Sequence, residues 1–248
     1  MTDFTDLPNK KKTKATAKAS KVVGVYSGRG GPPDSSLDSE GNRIDPTPAG
    51  EYVIQRIGPH VSHGKWFLST IAWGTPTRIE KDVFEVQRNG KWIDGTTIHE
   101  DLTARNVRQN YATLFARVGK EAPAVIPEKW ELNDFGPEAV YFFKDLDGDK
   151  VFDPATETIQ QEMFHTTPDN EIQLANKREI VFVHSHGCIH VHPGHFREMK
   201  KNCFKPGVTV QIHKYTQAVP VFNQDDTAKP PYIIHFFPGF DTILVYGQ

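Results

Sequence analysis

Apolar residues recur along this chain mostly in short alternating or continuous runs, separated by Gly, Pro and polar turns, which is the pattern of strands. Val22-Val-Gly-Val-Tyr26 reads as a first strand, followed by a turn-rich segment over 27–48. Gly50-Glu-Tyr-Val-Ile-Gln-Arg-Ile57 alternates, with Tyr52 and Ile54 on one face and Val53 on the other. Phe84, Val86 and Trp92 flank Asn89-Gly90, a pair that accepts positive φ at both turn positions and so predicts a tight hairpin. Tyr232-Ile-Ile-His-Phe-Phe237 and Thr242-Ile-Leu-Val-Tyr246 flank Pro238-Gly239 as a final hairpin.

Two stretches carry helical spacing instead. Val107, Tyr111, Leu114, Phe115 and Val118 form one stripe between about Glu100 and Val118, and Gly119 stops it. A shorter helix is predicted from Gly194 to Asn202. The expectation is a mainly β, α+β fold. Its main domain covers 22–218, with a long insertion or lid over 58–140 that holds Trp66, Trp73, Trp92 and Trp130. Residues 219–248 read as a C-terminal hairpin extension.

Composition narrows the functional classes. Among 248 residues, 29 Lys and Arg nearly balance 31 Asp and Glu, so a global basic field for nucleic acid is absent and no nucleic-acid partner is expected. No apolar run approaches the roughly 18–20 residues of a membrane span. Two cysteines, Cys188 and Cys203, exclude a disulfide scaffold. Residues 1–21 place Lys10, Lys11, Lys12, Lys14, Lys18 and Lys21 among Ala, Thr and Ser, which reads as a solvated, disordered basic arm. No secretory signal is visible there, since no apolar stretch follows the lysines.

The densest chemistry is Val183-His-Ser-His-Gly-Cys-Ile-His-Val-His-Pro-Gly-His195, which holds five of the eleven histidines. Thiol catalysis needs a nucleophile, a base and donors for the oxyanion. Cys188 offers the nucleophile, and a Gly-Cys turn can aim the N–H groups of Gly187 and Cys188 at a substrate oxygen. The base must come from elsewhere in the fold; Phe164-His-Thr-Thr-Pro168 offers His165, with His184 as the alternative. Cys203, at the end of the short predicted helix, is expected to be inert packing.

Ser185-His-Gly-Cys-Ile189 followed by a polar residue, with an upstream His followed by Thr, resembles the L,D-transpeptidase (YkuD-like) catalytic domain. Asp45-Pro-Thr-Pro-Ala-Gly-Glu-Tyr-Val-Ile54 is similar to that family's Thr-Pro-x-Gly-x-Tyr/Phe strand, and Lys205-Pro-Gly-Val-Thr-Val-Gln-Ile212 to its closing strand. The resemblance implies a β-sandwich core and a bacterial cell-wall enzyme that needs no metal or cofactor. Such an enzyme attacks the third residue of a peptidoglycan tetrapeptide stem, releases the terminal D-Ala, and passes the acyl group to an amine or water. It also implies Cys188 as nucleophile, His165 as base, Gly187 as oxyanion donor and His186 shaping the site, with Ser185, His190 and Thr166 at the substrate. The family usually has Arg or Asn two residues after the Cys; this chain has His190, which is only partly charged near neutrality. The substrate places the expected action in the periplasm. With no signal visible, the expectation is either a shortened chain or export by a specialised system, the second as for an interbacterial toxin with a cognate immunity protein.

Three other motifs compete. His190-x-His192 on a strand would point two imidazoles to one face, and with Glu198, His213 or His235 would make a metal- or glycan-binding β-domain. Asp145-Leu-Asp-Gly-Asp-Lys-Val-Phe-Asp153 matches part of a calcium loop but has Gly at position 4 and Thr156 at position 12, so an acidic turn is preferred. Ser27-Gly-Arg-Gly-Gly31 lacks the Lys-Ser/Thr of a phosphate loop.

Overall fold

A computed structural model describes residues 21–38, 41–62, 66–225 and 227–247; most of the basic arm therefore lies outside the described residues. In chain order the strands are β1 (Lys21–Arg29), β2 (Ser36–Leu37), β3 (Arg43–Ile44), β4 (Gly50–Gly58), β5 (Thr77–Glu80), β6 (Val83–Arg88), β7 (Lys91–Asp94), β8 (Ala139–Phe143), β9 (Ile159–His165), β10 (Ile189–Val191), β11 (Thr209–Ile212), β12 (Ile233–Phe237) and β13 (Thr242–Gly247). The α-helices are α1 (Ala104–Arg117), α2 (Pro168–Ala175) and α3 (Pro193–Asn202). None of the described helices is long and apolar enough to cross a membrane.

Eight strands close into one barrel in the order β1-β10-β9-β8-β4-β11-β12-β13, with β13 returning to β1. Pairing is antiparallel except for β9–β10 and β11–β12. The expected mainly β, α+β class is what the chain adopts. The two faces of the expected sandwich belong here to a single sheet that meets itself, which leaves no open edge in the barrel. The C-terminal hairpin supplies two of the eight strands.

Alternation selects the barrel interior. Tyr52 and Ile54 of β4 face inward, as their spacing predicts, and meet Phe142, Phe164, Ile189 and Phe236. Helix α3 closes this core with Phe196 and Met199, and Cys203 is buried behind it, as expected of inert packing. Its N-cap is His192, whose Nδ1 accepts from the Gly194 and His195 N–H groups.

Residues 58–140 have a hydrophobic cluster of their own. The β5-β6-β7 meander turns at Asn89 and Gly90 with φ of 51° and 75°, as the dipeptide predicts. Helix α1 lays Val107, Tyr111 and Leu114 against it around Trp130, whose Nε1 donates to the Leu68 carbonyl at 2.9 Å. Helix α2 was not expected from the sequence, although its start signal is present: Thr167 caps it and Pro168 follows at the first turn. It lies in the connection between His165 and the Cys188 loop.

Candidate active site

Strands β9 and β10 run parallel with Phe164 beside Ile189 and His165 beside His190. Phe164, Ile189 and Val191 point into the barrel core. The period of two therefore turns Met163, His165, Cys188 and His190 to the outer face. Cys188, one residue before β10, comes beside Met163 and packs with Ala139, Tyr141, Met163 and Phe135. Cys188 and His165 are thus diagonal neighbours on the same face of adjoining strands, roughly 7–8 Å apart.

His165 is 3% exposed, and its Nδ1 lies 2.7 Å from the Thr166 carbonyl oxygen. A carbonyl only accepts, so Nδ1 carries the proton and Nε2 is left as the basic nitrogen. Burial, reinforced by the adjacent His190, pushes the imidazole pKa well below its usual value. The ring packs between Phe135 and His190, with centroids 4.9 Å from each. Burial also pushes the Cys188 thiol up to about 12, with the Met163 backbone N–H pulling it down and Glu162 pushing it up. Thiol and imidazole are therefore both neutral near pH 7.

The remaining motif residues hold the loop. Ser185 is buried; its N–H donates to the Gly30 carbonyl, its Oγ donates to the Cys188 carbonyl, and it accepts the Gly187 N–H at 3.1 Å. The Gly187 N–H, expected as an oxyanion donor, is thus taken up within the turn by Ser185 Oγ. Gly187 has φ of 117°, a conformation that L side chains rarely adopt. His186 is turned outward, with Nε2 3.1 Å from Asp38 Oδ2 and its ring 5.2 Å from Trp66. Thr166 is buried and donates to Glu171, which pairs with Arg197, so it clamps α2 and α3 to the end of β9. His184 is exposed in the loop. The structure places Cys188, His165 and His190 on one face of β9 and β10, with the two histidines in contact, and gives Ser185, His186 and Thr166 partners of their own.

His190 is 8% exposed; its Nδ1 donates to the Val183 carbonyl at 3.1 Å, and burial lowers its pKa to about 4. It supplies no positive charge at neutral pH. The metal arrangement expected from His190 and His192 does not form, because β10 ends at Val191 and His192 serves as a helix cap. Glu198 accepts from Tyr26, and His213 and His235 pair with each other at 2.9 Å. Among the described residues, Asp145, Asp147 and Asp149 are the grouping with metal-ligand spacing, their oxygens within 4.8 Å of one another. These carboxylates accept N–H groups of their own turn, from Gly148, Asp149, Lys150 and Val151.

Several residues at the site were not singled out by the sequence. His60 Nδ1 lies 2.9 Å from Tyr141 Oη, its ring stacks 3.9 Å from Phe135, and Arg56 lies 3.5 Å over the Tyr141 ring. Buried Asn133 positions this wall: its Nδ2 donates to the His60 and Ile71 carbonyls, and its Oδ1 accepts from Phe135. The Gly30-Gly31 pair had a legible signal, a glycine run, but its use is close packing. A Cβ on Gly31 would lie 1.8 Å from the Asp45 carbonyl oxygen. Gly31→Ala is accordingly expected to destabilise the fold by about 1–3 kcal/mol, read as a lower denaturation midpoint in urea. No protein-family model, curated protein or solved structure matches the chain.

Proposed function

We propose that this chain is a cysteine acyl-transfer enzyme of the L,D-transpeptidase kind, acting on tetrapeptide stems of peptidoglycan. The observation that carries the reading is the placement of Cys188 and His165 on one face of two adjoining parallel strands, with the imidazole already oriented by the Thr166 carbonyl. In this mechanism His165 Nε2 takes the Cys188 proton as the sulfur attacks the amide carbonyl before the terminal D-Ala. The Cys188 N–H donates to the oxyanion. Collapse breaks the C–N bond, the imidazolium returns its proton to the leaving D-Ala amine, and a thioester remains. An amine resolves it to a cross-link or exchanged D-amino acid, and water resolves it to a tripeptide. The substrate places this activity in the bacterial envelope, where a toxin acting on a neighbour's wall would also work.

Mass spectrometry of tetrapeptide muropeptides, incubated with the wild-type protein and with Cys188→Ala, tests the reading. Loss of D-Ala, D-amino-acid exchange or a new cross-link is expected with the wild type alone. Muropeptides left untouched by the wild-type protein would overturn it.

A further inference from the structure

Four outward residues form one row across the barrel wall: Arg56 on β4 is paired with Tyr141 on β8, Tyr141 with Met163 on β9, and Cys188 lies beside Met163. Arg56 is exposed, and its guanidinium lies between Gly58 of its own strand and the next strand. It folds over the Tyr141 ring at 3.5 Å, one strand closer to the thiol. Arg29, Arg43, Arg78, Arg108, Arg117 and Arg197 each pair with an Asp or Glu. Among the described residues, Arg56 has no such carboxylate, as is also the case for Arg88, Arg105 and Arg178. Arg56 alone of these four lies in the row that leads to Cys188.

Resting on the acyl-transfer reading above, we infer that Arg56 is the specificity residue of this site and binds the free carboxylate of the residue that leaves. The acyl donor is then a peptide whose scissile amide is followed by one terminal amino acid with an unblocked carboxylate.

Spacing supports the assignment. Adjacent strands lie about 4.8 Å apart, so the Tyr141 column, where the guanidinium rests, is about 10 Å from the Cys188 column. An attacking sulfur stands about 3–3.5 Å from the carbonyl carbon, and a carboxylate one residue on lies about 4 Å further. A bidentate guanidinium–carboxylate pair adds about 4 Å between carbons, which brings the whole span to about 11–11.5 Å, within about 2 Å of that column separation. Charge agrees with the spacing. Glu162, beside Gly187, raises the Cys188 pKa, so an anionic end is repelled there and attracted towards Arg56. The field of Arg56 reaches His60 on the same wall, whose pKa it lowers after burial has done so. His190, at the position where the family usually carries Arg or Asn, is neutral and occupied with the Val183 carbonyl, and cannot take this role.

The experiment compares kcat/KM for a tetrapeptide donor ending in D-Ala and the same donor ending in D-Ala amide. Wild-type protein, Arg56→Gln and Arg56→Lys are measured, with thermal midpoints to confirm folding. The wild type is expected to prefer the free acid by about tenfold or more, chiefly through KM. Arg56→Gln is expected to erase that preference, and Arg56→Lys to keep part of it. An acid-to-amide ratio in Arg56→Gln equal to the wild-type ratio overturns the inference while leaving the acyl-transfer reading intact. If the wild type turns over neither donor in a Cys188-dependent way, the reading itself falls and the inference with it.

Discussion

Replacing His165 by Gln is expected to lower kcat for acyl transfer by about 10²–10⁴ at pH 7, the range a positioned general base contributes. The size follows from the thiol. With its pKa pushed up to about 12, Cys188 is ionised at pH 7 in only about 10⁻⁵ of molecules, so attack depends on a base that takes the proton as the bond forms. His165 suits that role because burial keeps it unprotonated, and because its Nδ1–H is held by the Thr166 carbonyl. The sign of the pH dependence is fixed by the same facts. Activity needs neutral His165, so it is fully present above the usual imidazole range and is lost only as pH falls through a value well below 6.5. In the His165→Gln protein, the residual rate should climb about tenfold per pH unit through the alkaline range, as thiolate formed by hydroxide replaces the missing base. A variant with a wild-type rate at pH 7, or with a pH-independent residual rate, would remove His165 from the mechanism. Cys188→Ala differs in kind: no thioester can form, and no alkaline rescue is expected.

The parts legible in the sequence are those set by local chemistry. The α1 stripe, the Asn89-Gly90 turn, the inward Tyr52 and Ile54, and the hairpin around Pro238-Gly239 all rest on residues a few positions apart. Cys188 and His165 were legible as residue types in a motif, but the strand register that sets them on one face as diagonal neighbours was not. The barrel closure was hidden for a related reason: β1 finds β13, and β4 finds β11, across most of the chain length. Nothing local encodes those partners. Arg56, His60 and Tyr141 escaped notice because each looks ordinary in its own strand or loop. Only the pairing of β4 with β8, and the Asn133 anchor, bring them to one wall. Ser185 shows the opposite case, a residue inside the most informative motif whose side chain closes a turn. The helix α2 carried a readable start signal in Thr167-Pro168, but its apolar face is too short to stand out.

Unfolding stability is expected to fall steeply between pH 6.5 and pH 4, by more than the roughly 3 kcal/mol that His190 contributes alone. Burial lowers the pKa of His190 from 6.5 to about 4, and each unit is worth about 1.4 kcal/mol. The direction follows from proton counting. Between those two values the unfolded chain binds a proton at this residue and the folded chain does not, so stability is complete above 6.5 and drains away as pH falls to about 4. His165 acts in the same sense, and so does His235, lowered to about 4 by burial and by the neighbouring His213. Buried carboxyls oppose the trend, since burial raises Asp134 and Glu131 and acid relieves their charge. The histidines outweigh them because two of these sit nearly sealed in the wall that carries the thiol. Thermal midpoints taken from pH 7 to pH 4 should drop by about 5–10 °C or more. His190→Gln, whose amide can still donate to the Val183 carbonyl, should be less stable at pH 7 but show a shallower decline. Equal slopes for the two proteins would mean that His190 is not buried neutral. The same neutrality that makes His165 available as a base at pH 7 therefore sets the acid limit of the fold that holds it.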